Sequence, residues 1–290
     1  MIYLFLVSLI WAFSFGLIKT NLTTIHPIVV TGLRLLIAAL VFLPFLKLRK
    51  IPKKTALSLF IIGGIEFGLM YIFYNISFQY LKAFEVALFT IFTPVYVAAV
   101  SNLIERKWNN PYLLTSILAI VGTAIIVHTG FDRPEMILGF ILVQLSNICF
   151  AVGQVFYRRI MIKAEGVKDV EIFAIPYLGG LVAALLASVF FVRWNVVQIT
   201  SSQWLNLIYL GALASGFGFF LWNYGARRTN IGALAIFNNL KIPLSIAVSL
   251  LFFHEKTDIP SLLLGGSIVI VSLVINELVE RHRKDVPASV

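Results

Sequence analysis

PIVVTGLRLLIAALVFLPFL, residues 27–46, runs for twenty residues with one charge, Arg34, and ends on the basic block KLRKIPKK, residues 47–54. About 20 mostly apolar residues, at ~1.5 Å rise each, cross a hydrocarbon core of ~30 Å. A span followed at once by clustered Lys and Arg is the signature of a membrane helix whose basic flank stays in the cytoplasm.

The rest of the chain repeats this pattern. Apolar runs at roughly 2–18, 27–46, 57–80, 84–103, 111–128, 135–157, 171–192, 203–224, 231–253 and 260–277 predict ten transmembrane helices. The breaks hold Pro, Gly or charge clusters. Loops on the side of the termini, with the C-terminal tail, carry sixteen Lys and Arg; the opposite loops carry five, and Arg34 and Lys241 fall inside spans. That asymmetry places both termini in the cytoplasm of a multi-pass protein of the bacterial inner membrane.

Composition agrees. Sixty per cent of the 290 residues are hydrophobic and 12% are charged, with a mean hydropathy of +0.95. A soluble domain carries about a quarter of its residues charged, so most of this surface meets lipid. The net charge of +10 sits in short breaks between apolar runs, which excludes nucleic acid as a partner. Cys149 is the single cysteine, so no intrachain disulfide can form. The first apolar run begins at Ile2 with no basic segment before it, and reads as a retained helix. The histidines, His26, His128, His254 and His282, are scattered at span ends. None forms a close helical metal-binding pair, and no nucleotide-binding motif is present. Neither a metal, a cofactor nor an enzyme activity is expected, and a channel would need rings of charge or a repeated carbonyl filter.

Two stretches match in spacing. Asn75, Pro94, Glu105 and Pro111 are separated by 19, 11 and 6 residues; Asn223, Pro243, Glu255 and Pro260 by 20, 12 and 5. Each set has a polar Asn late in one span, a mid-helix Pro in the next, and an acid–base pair (Glu105-Arg106, Glu255-Lys256) before the last. The expected fold is therefore all-α, with ten transmembrane helices as two inverted five-helix repeats: residues 1–129, residues 130–279, and a cytoplasmic tail at 280–290. An odd number of helices per unit inverts the second copy, a recurring transporter design with a site at the bilayer midplane.

Ionisable and amide side chains inside a membrane are candidates for function. Glu66 lies about 13 Å into its span, and Lys241, Asn147 and Trp11 lie at similar depth, counting ~1.5 Å per residue. Lys241 and Glu66 could pair across the bundle, or an anionic substrate could open that pair while Glu66 takes a proton. Arg34, only about 10 Å below the outer surface by the same count, suits a helix–helix hydrogen bond. Asn147 and Asn239 could equally be interhelical glue. Trp194, Trp204, Trp222 and Tyr224 fall near span ends and read as interfacial anchors. Pro94 and Pro243 would bend helices. Gly63-Gly64, Gly211, Ser215-Gly216 and Gly265-Gly266 would allow close packing.

GLRLLIAAL at residues 32–40, in a ten-span duplicated chain, resembles the drug/metabolite transporter superfamily with its paired EamA domains, over nearly the whole length. WAFSF (11–15), VFLPFL (41–46), TPVY (93–96), LVQLSN (142–147), WNYGA (222–226) and FNN (237–239) are most similar to the superfamily's biotin-transporting branch. The resemblance implies a secondary transporter importing a small-molecule substrate, biotin. The superfamily also holds exporters of amino acids and other metabolites. Biotin offers a carboxylate, a ureido group and a bicyclic ring. Lys241 would hold the carboxylate, Asn147 and Asn239 the ureido group, with Asn238 a further candidate, and Trp11 and Tyr71 would wall the ring.

Overall fold

The protein, here as a computed structural model, is described over residues 2–105, 134–164, 166–228 and 231–254 and at positions 260, 267, 271, 274 and 275. Every regular element among these residues is helical. Among the described residues seven helices are long and apolar enough to cross a membrane: α1 (Ile2–Leu22), α2 (Pro27–Phe45), α3 (Lys53–Ser77), α4 (Ala83–Ile104), α5 (Glu135–Lys163), α6 (Ala174–Phe191) and α7 (Ser201–Ala226). An eighth, α8 (Ile231–Phe252), has a shorter apolar stretch from Leu240 to Phe252. The expected fifth span lies outside the described residues, as do the boundary at 129/130, the tail and most of the expected tenth span.

Several helices outrun the apolar run that announced them. α3 begins at Lys53 rather than 57, and α5 reaches Lys163, past Arg158 and Arg159. Hydropathy marks where lipid ends, whereas a helix ends where its hydrogen bonds do. Starts are set locally: Pro27 opens α2 behind His26, whose Nδ1 accepts from the Ile28 N–H at 3.3 Å, a position suited to Pro because its missing N–H would be unpaired anyway. Glu85 accepts the Lys82 N–H at 2.8 Å to start α4, and Thr200 and Gln203 form a capping box on α7.

Polarity runs inside out. Phe190, Val189, Phe191 and Leu186 project outward, whereas Arg34, Glu66, Asn147, Asn223 and Lys241 are buried. α1 packs on α7 and α8, α2 on α6 and α7, and α3 on α5 and α6. The α3–α6 contact is the closest, because a Cβ on Gly63 would strike the Pro176 backbone and one on Gly179 the Phe60 carbonyl. Without a hydrophobic drive between helices in lipid, such small-residue contacts supply the van der Waals attraction. Gly211 likewise meets Ile37, while Gly265 and Gly266 lie outside the described residues.

Among the described residues three helices carry π turns: Ile18–Leu22 in α1, Gly64–Leu69 in α3 and Tyr209–Phe217 in α7. α4 instead tightens into a 3₁₀ turn at Thr90–Phe92 just before Pro94. There the Thr93 N–H bonds Thr90 O, so Phe89 O loses its α-helical donor and is open to side-chain donors.

The end of the bundle at which α1 begins is tied by its loops. Lys47 Nζ contacts Glu171 Oε1 at 2.6 Å, and Arg227 Nη1 contacts Asp169 Oδ1 at 2.7 Å, with the Tyr157 hydroxyl donating to the same Asp169 oxygen at 3.0 Å. The Lys47 ammonium holds the Glu171 carboxyl below its ordinary range, first through this hydrogen bond. Beneath lies an aromatic layer of Phe42, Phe67, Phe173, Tyr177 and Phe220, with ring centroids 4.9–6.2 Å apart. At the opposite end Lys19 Nζ donates to Phe78 O at 2.7 Å.

Candidate substrate cavity

Between these closures lies a cavity with about 70 Å³ of room for water, lined from α1, α2, α3, α4, α5, α7 and α8. Trp11, Tyr71, Asn147 and Lys241 all face it. Counting depth along each span thus collected three residues that the fold does bring together, Trp11, Asn147 and Lys241, while Tyr71 was expected only as a wall for the ring. The Asn239 side chain lies outside the described residues.

The apolar wall is aromatic. Trp11 stacks at 5.0 Å on Phe219 and 5.2 Å on Trp222, and Tyr71 meets Phe219 edge-on at 5.6 Å. Trp222 is therefore an interior residue and not the interfacial anchor expected of it. It lies near the end of α7, but its face of the helix packs against α1 rather than lipid. Trp194 and Trp204 are exposed, as interfacial anchors are. Tyr224 instead stacks beneath Arg228, at 3.4 Å from guanidinium carbon to ring centroid.

The polar wall begins with the π turn of α7. A π turn shifts the backbone hydrogen bonds by one residue, so its carbonyls recruit outside donors. Trp11 Nε1 donates to Ala214 O at 2.9 Å, and the Tyr177 hydroxyl lies 2.6 Å from Ser215 O and 2.8 Å from Gly216 O. Trp11 is in this way fixed by its nitrogen and offers the cavity its ring. Opposite, Asn147 Nδ2 and Gln144 Nε2 supply the Phe89 carbonyl at 2.9 and 3.3 Å, and Thr93 Oγ1 donates to Asn147 Oδ1 at 3.1 Å. Asn147 is thus both interhelical glue and cavity wall.

Two cations face the cavity. Lys241 Nζ donates to Asn238 Oδ1 at 3.0 Å and lies 5.3 Å from the Trp11 ring centroid. Arg34 donates through Nη2 to the Tyr71 hydroxyl at 2.8 Å and through Nε to Ser215 Oγ at 3.2 Å, while its buried Nη1 has no partner. The helix–helix role expected of Arg34 is formed, and the side chain also lines the cavity, which depth counting missed. Among the described lining residues there is no carboxylate.

Glu66 departs from expectation. It is fully buried, is not among the lining residues, and does not pair with Lys241; its Oε1 accepts from Asn223 Nδ2 at 3.1 Å. Tyr71 looks into the cavity, whereas Glu66, in the π turn, looks toward α5 and α7. Ser14, Thr90, Thr93 and Ser146 also line the cavity, and as hydroxyl residues in apolar runs they carried little sequence signal.

A bundle of apolar helices around a buried, cation-lined cavity defines a multi-pass membrane protein of the transporter class. The chain belongs to the EamA-like transporter family, whose model matches residues 1–128 and again residues 137–277. It is 36% identical to a "Probable biotin transporter" of Pseudomonas aeruginosa, over 97% of this chain and 98% of that one. It is 34% identical to a "Biotin transporter" of Salmonella typhimurium, over 98% and 93% of the two chains. A "Probable amino-acid metabolite efflux pump" of Escherichia coli is 24% identical, over 97% and 95%. A solved crystal structure shares the fold with a TM-score of 0.72 at 16% identity, covering 97% of each chain.

Proposed function

We propose that the protein imports biotin across the bacterial inner membrane, both termini cytoplasmic, by alternating access between two inverted five-helix halves. The observation that carries this reading is the pairing of two cations, Arg34 and Lys241, on a cavity with no described acid. A buried cation with an unused donor favours an anionic ligand. Lys241 is the reserved anchor for the carboxylate, since its recorded side-chain partner is one neutral amide. Arg34 brings the free Nη1. Asn147 and the neighbouring hydroxyls offer donors and acceptors suited to a ureido group, and Trp11, Tyr71 and Phe219 a wall for the rings. The names of the relatives at 34 and 36% identity agree with this substrate.

Two features support the halves. The same family model matches twice. The 148 residues from Asn75 to Asn223, added to the π turn Gly64–Leu69, give 212–217, inside the π turn Tyr209–Phe217.

Export of an amino acid is the second reading, favoured by the names of the more distant relatives. A zwitterion would also need an acid for its ammonium, and the described walls offer none. Uptake of labelled biotin at nanomolar concentration into biotin-starved bacteria lacking their own transporter tests the assignment. Saturable uptake, competed by excess biotin and not by amino acids, is expected. No uptake from protein shown to be in the membrane would overturn it.

A further inference from the structure

The cavity uses the two cations in the middle of the spans and leaves the acid, Glu66. This side chain sits in the π turn of α3, wholly buried. Gly153 of α5 lies so close that a Cβ there would strike the Glu66 side chain. Asn223 Nδ2 is the recorded donor to Oε1, and Oε2 has no partner. The following ionisable groups of the packed elements are engaged elsewhere. Tyr157 of α5 donates to Asp169, and Tyr177 of α6 donates to α7 carbonyls. Arg34 of α2 serves Tyr71 and Ser215, and Arg227, at the end of α7, serves Asp169. Lys241 serves Asn238.

A carboxylate in hydrocarbon needs a cation or several donors. One amide is too little for a carboxylate, whereas a neutral carboxyl is far less costly to bury. We infer that Glu66 is a proton-binding site separate from the substrate cavity, and that it carries and releases the proton that accompanies the substrate. This rests on the transport reading. Glu66 belongs to the first family match and Asn223 to the second, so parting the two halves breaks their contact. Water then reaches the carboxyl and takes its proton, leaving a carboxylate that regains a proton from the acidic side. The contact re-forms with the acid neutral. An anionic substrate moving with one proton is then an electroneutral pair.

Two readouts separate this from the substrate assignment. Infrared spectra of the protein in lipid at neutral pH should show a carboxylic-acid C=O band that vanishes in Glu66→Gln. In Asn223→Ala it should persist at higher wavenumber, because the carbonyl loses its donor. In liposomes, an outside-acid gradient should drive biotin accumulation by the wild type. Glu66→Gln should lose accumulation while keeping biotin counterflow, which needs no net proton movement. A purely structural Glu66 would lose both together and overturn the proposal, as would an unchanged infrared band or undiminished gradient-driven accumulation in Glu66→Gln. If the wild type shows no biotin counterflow, the biotin reading fails, and the infrared band alone decides whether Glu66 holds a proton.

Discussion

Arg34 donates through Nη2 to the Tyr71 hydroxyl at 2.8 Å, and its guanidinium carbon also lies 4.2 Å from the centroid of the same ring. Ser215 Oγ closes the triangle, 2.8 Å from the Tyr71 hydroxyl and 3.2 Å from Arg34 Nε. Three side chains thereby join α2, α3 and α7 at the cavity wall.

Tyr71→Phe keeps the ring and removes the hydroxyl, leaving Arg34 and Ser215 each short of a partner. Leaving such buried groups unpaired costs about 1–3 kcal/mol. A lower unfolding temperature in detergent, followed by tryptophan fluorescence, is expected. An unchanged midpoint would show that the hydroxyl contributes nothing to the hub.

Lys241→Ala removes the proposed carboxylate anchor. Truncating a buried hydrogen-bonded charge partner costs about 2–5 kcal/mol, so the Kd for biotin should rise about thirty-fold or more. Calorimetry on purified protein measures it. Wild-type affinity at normal expression would remove Lys241 from the site.

Asn147 and Gln144 share the Phe89 carbonyl, but the Asn147 bond is shorter and its side chain faces the cavity. Asn147→Leu should lower both stability, by about 1 kcal/mol, and biotin affinity. Gln144→Leu should leave affinity unchanged, since Gln144 is not among the cavity lining. Equal losses of affinity in the two variants would contradict the assignment.

Lys47 holds Glu171 ionised below the usual carboxylate range. A carboxyl with a depressed folded value contributes stability above its unfolded value of about 4.3. That contribution disappears as pH falls through the folded value. Glu171→Gln should therefore flatten the acid limb of the thermal stability profile while barely moving its neutral plateau. Parallel profiles for the two proteins would show that the pair does not form in solution.

The spans and the membership of the cavity were legible to different depths. Apolar runs give position along the membrane normal, so Trp11, Asn147 and Lys241 could be collected from the sequence. Position around each helix was not legible, because neighbours and π turns set it. Glu66 shares the depth of the cavity yet faces α5 and α7, and Trp222 sits near a span end yet faces inward. Arg34 was counted as too shallow, because residue counting ignores the reach of a long side chain. The 3₁₀ turn at Thr90–Phe92 was foreshadowed by Pro94, but nothing local announced that Asn147 would serve the carbonyl it frees.

α8 carries Lys241 and Asn238 among its interior residues. A lysine at the centre of an isolated helix opposes membrane insertion by about 2.5–3.5 kcal/mol. Its main neighbour α1, from the other extremity of the chain, brings no acid or base before Lys19, and turns the Trp11 ring toward the Lys241 ammonium. During synthesis α1 is embedded long before α8 leaves the ribosome, so a prepared surface awaits the most reluctant helix. The α1–α8 contact thus joins an earlier-made segment to a later one, and replacing Trp11 is expected to lower the amount of protein inserted in the bilayer.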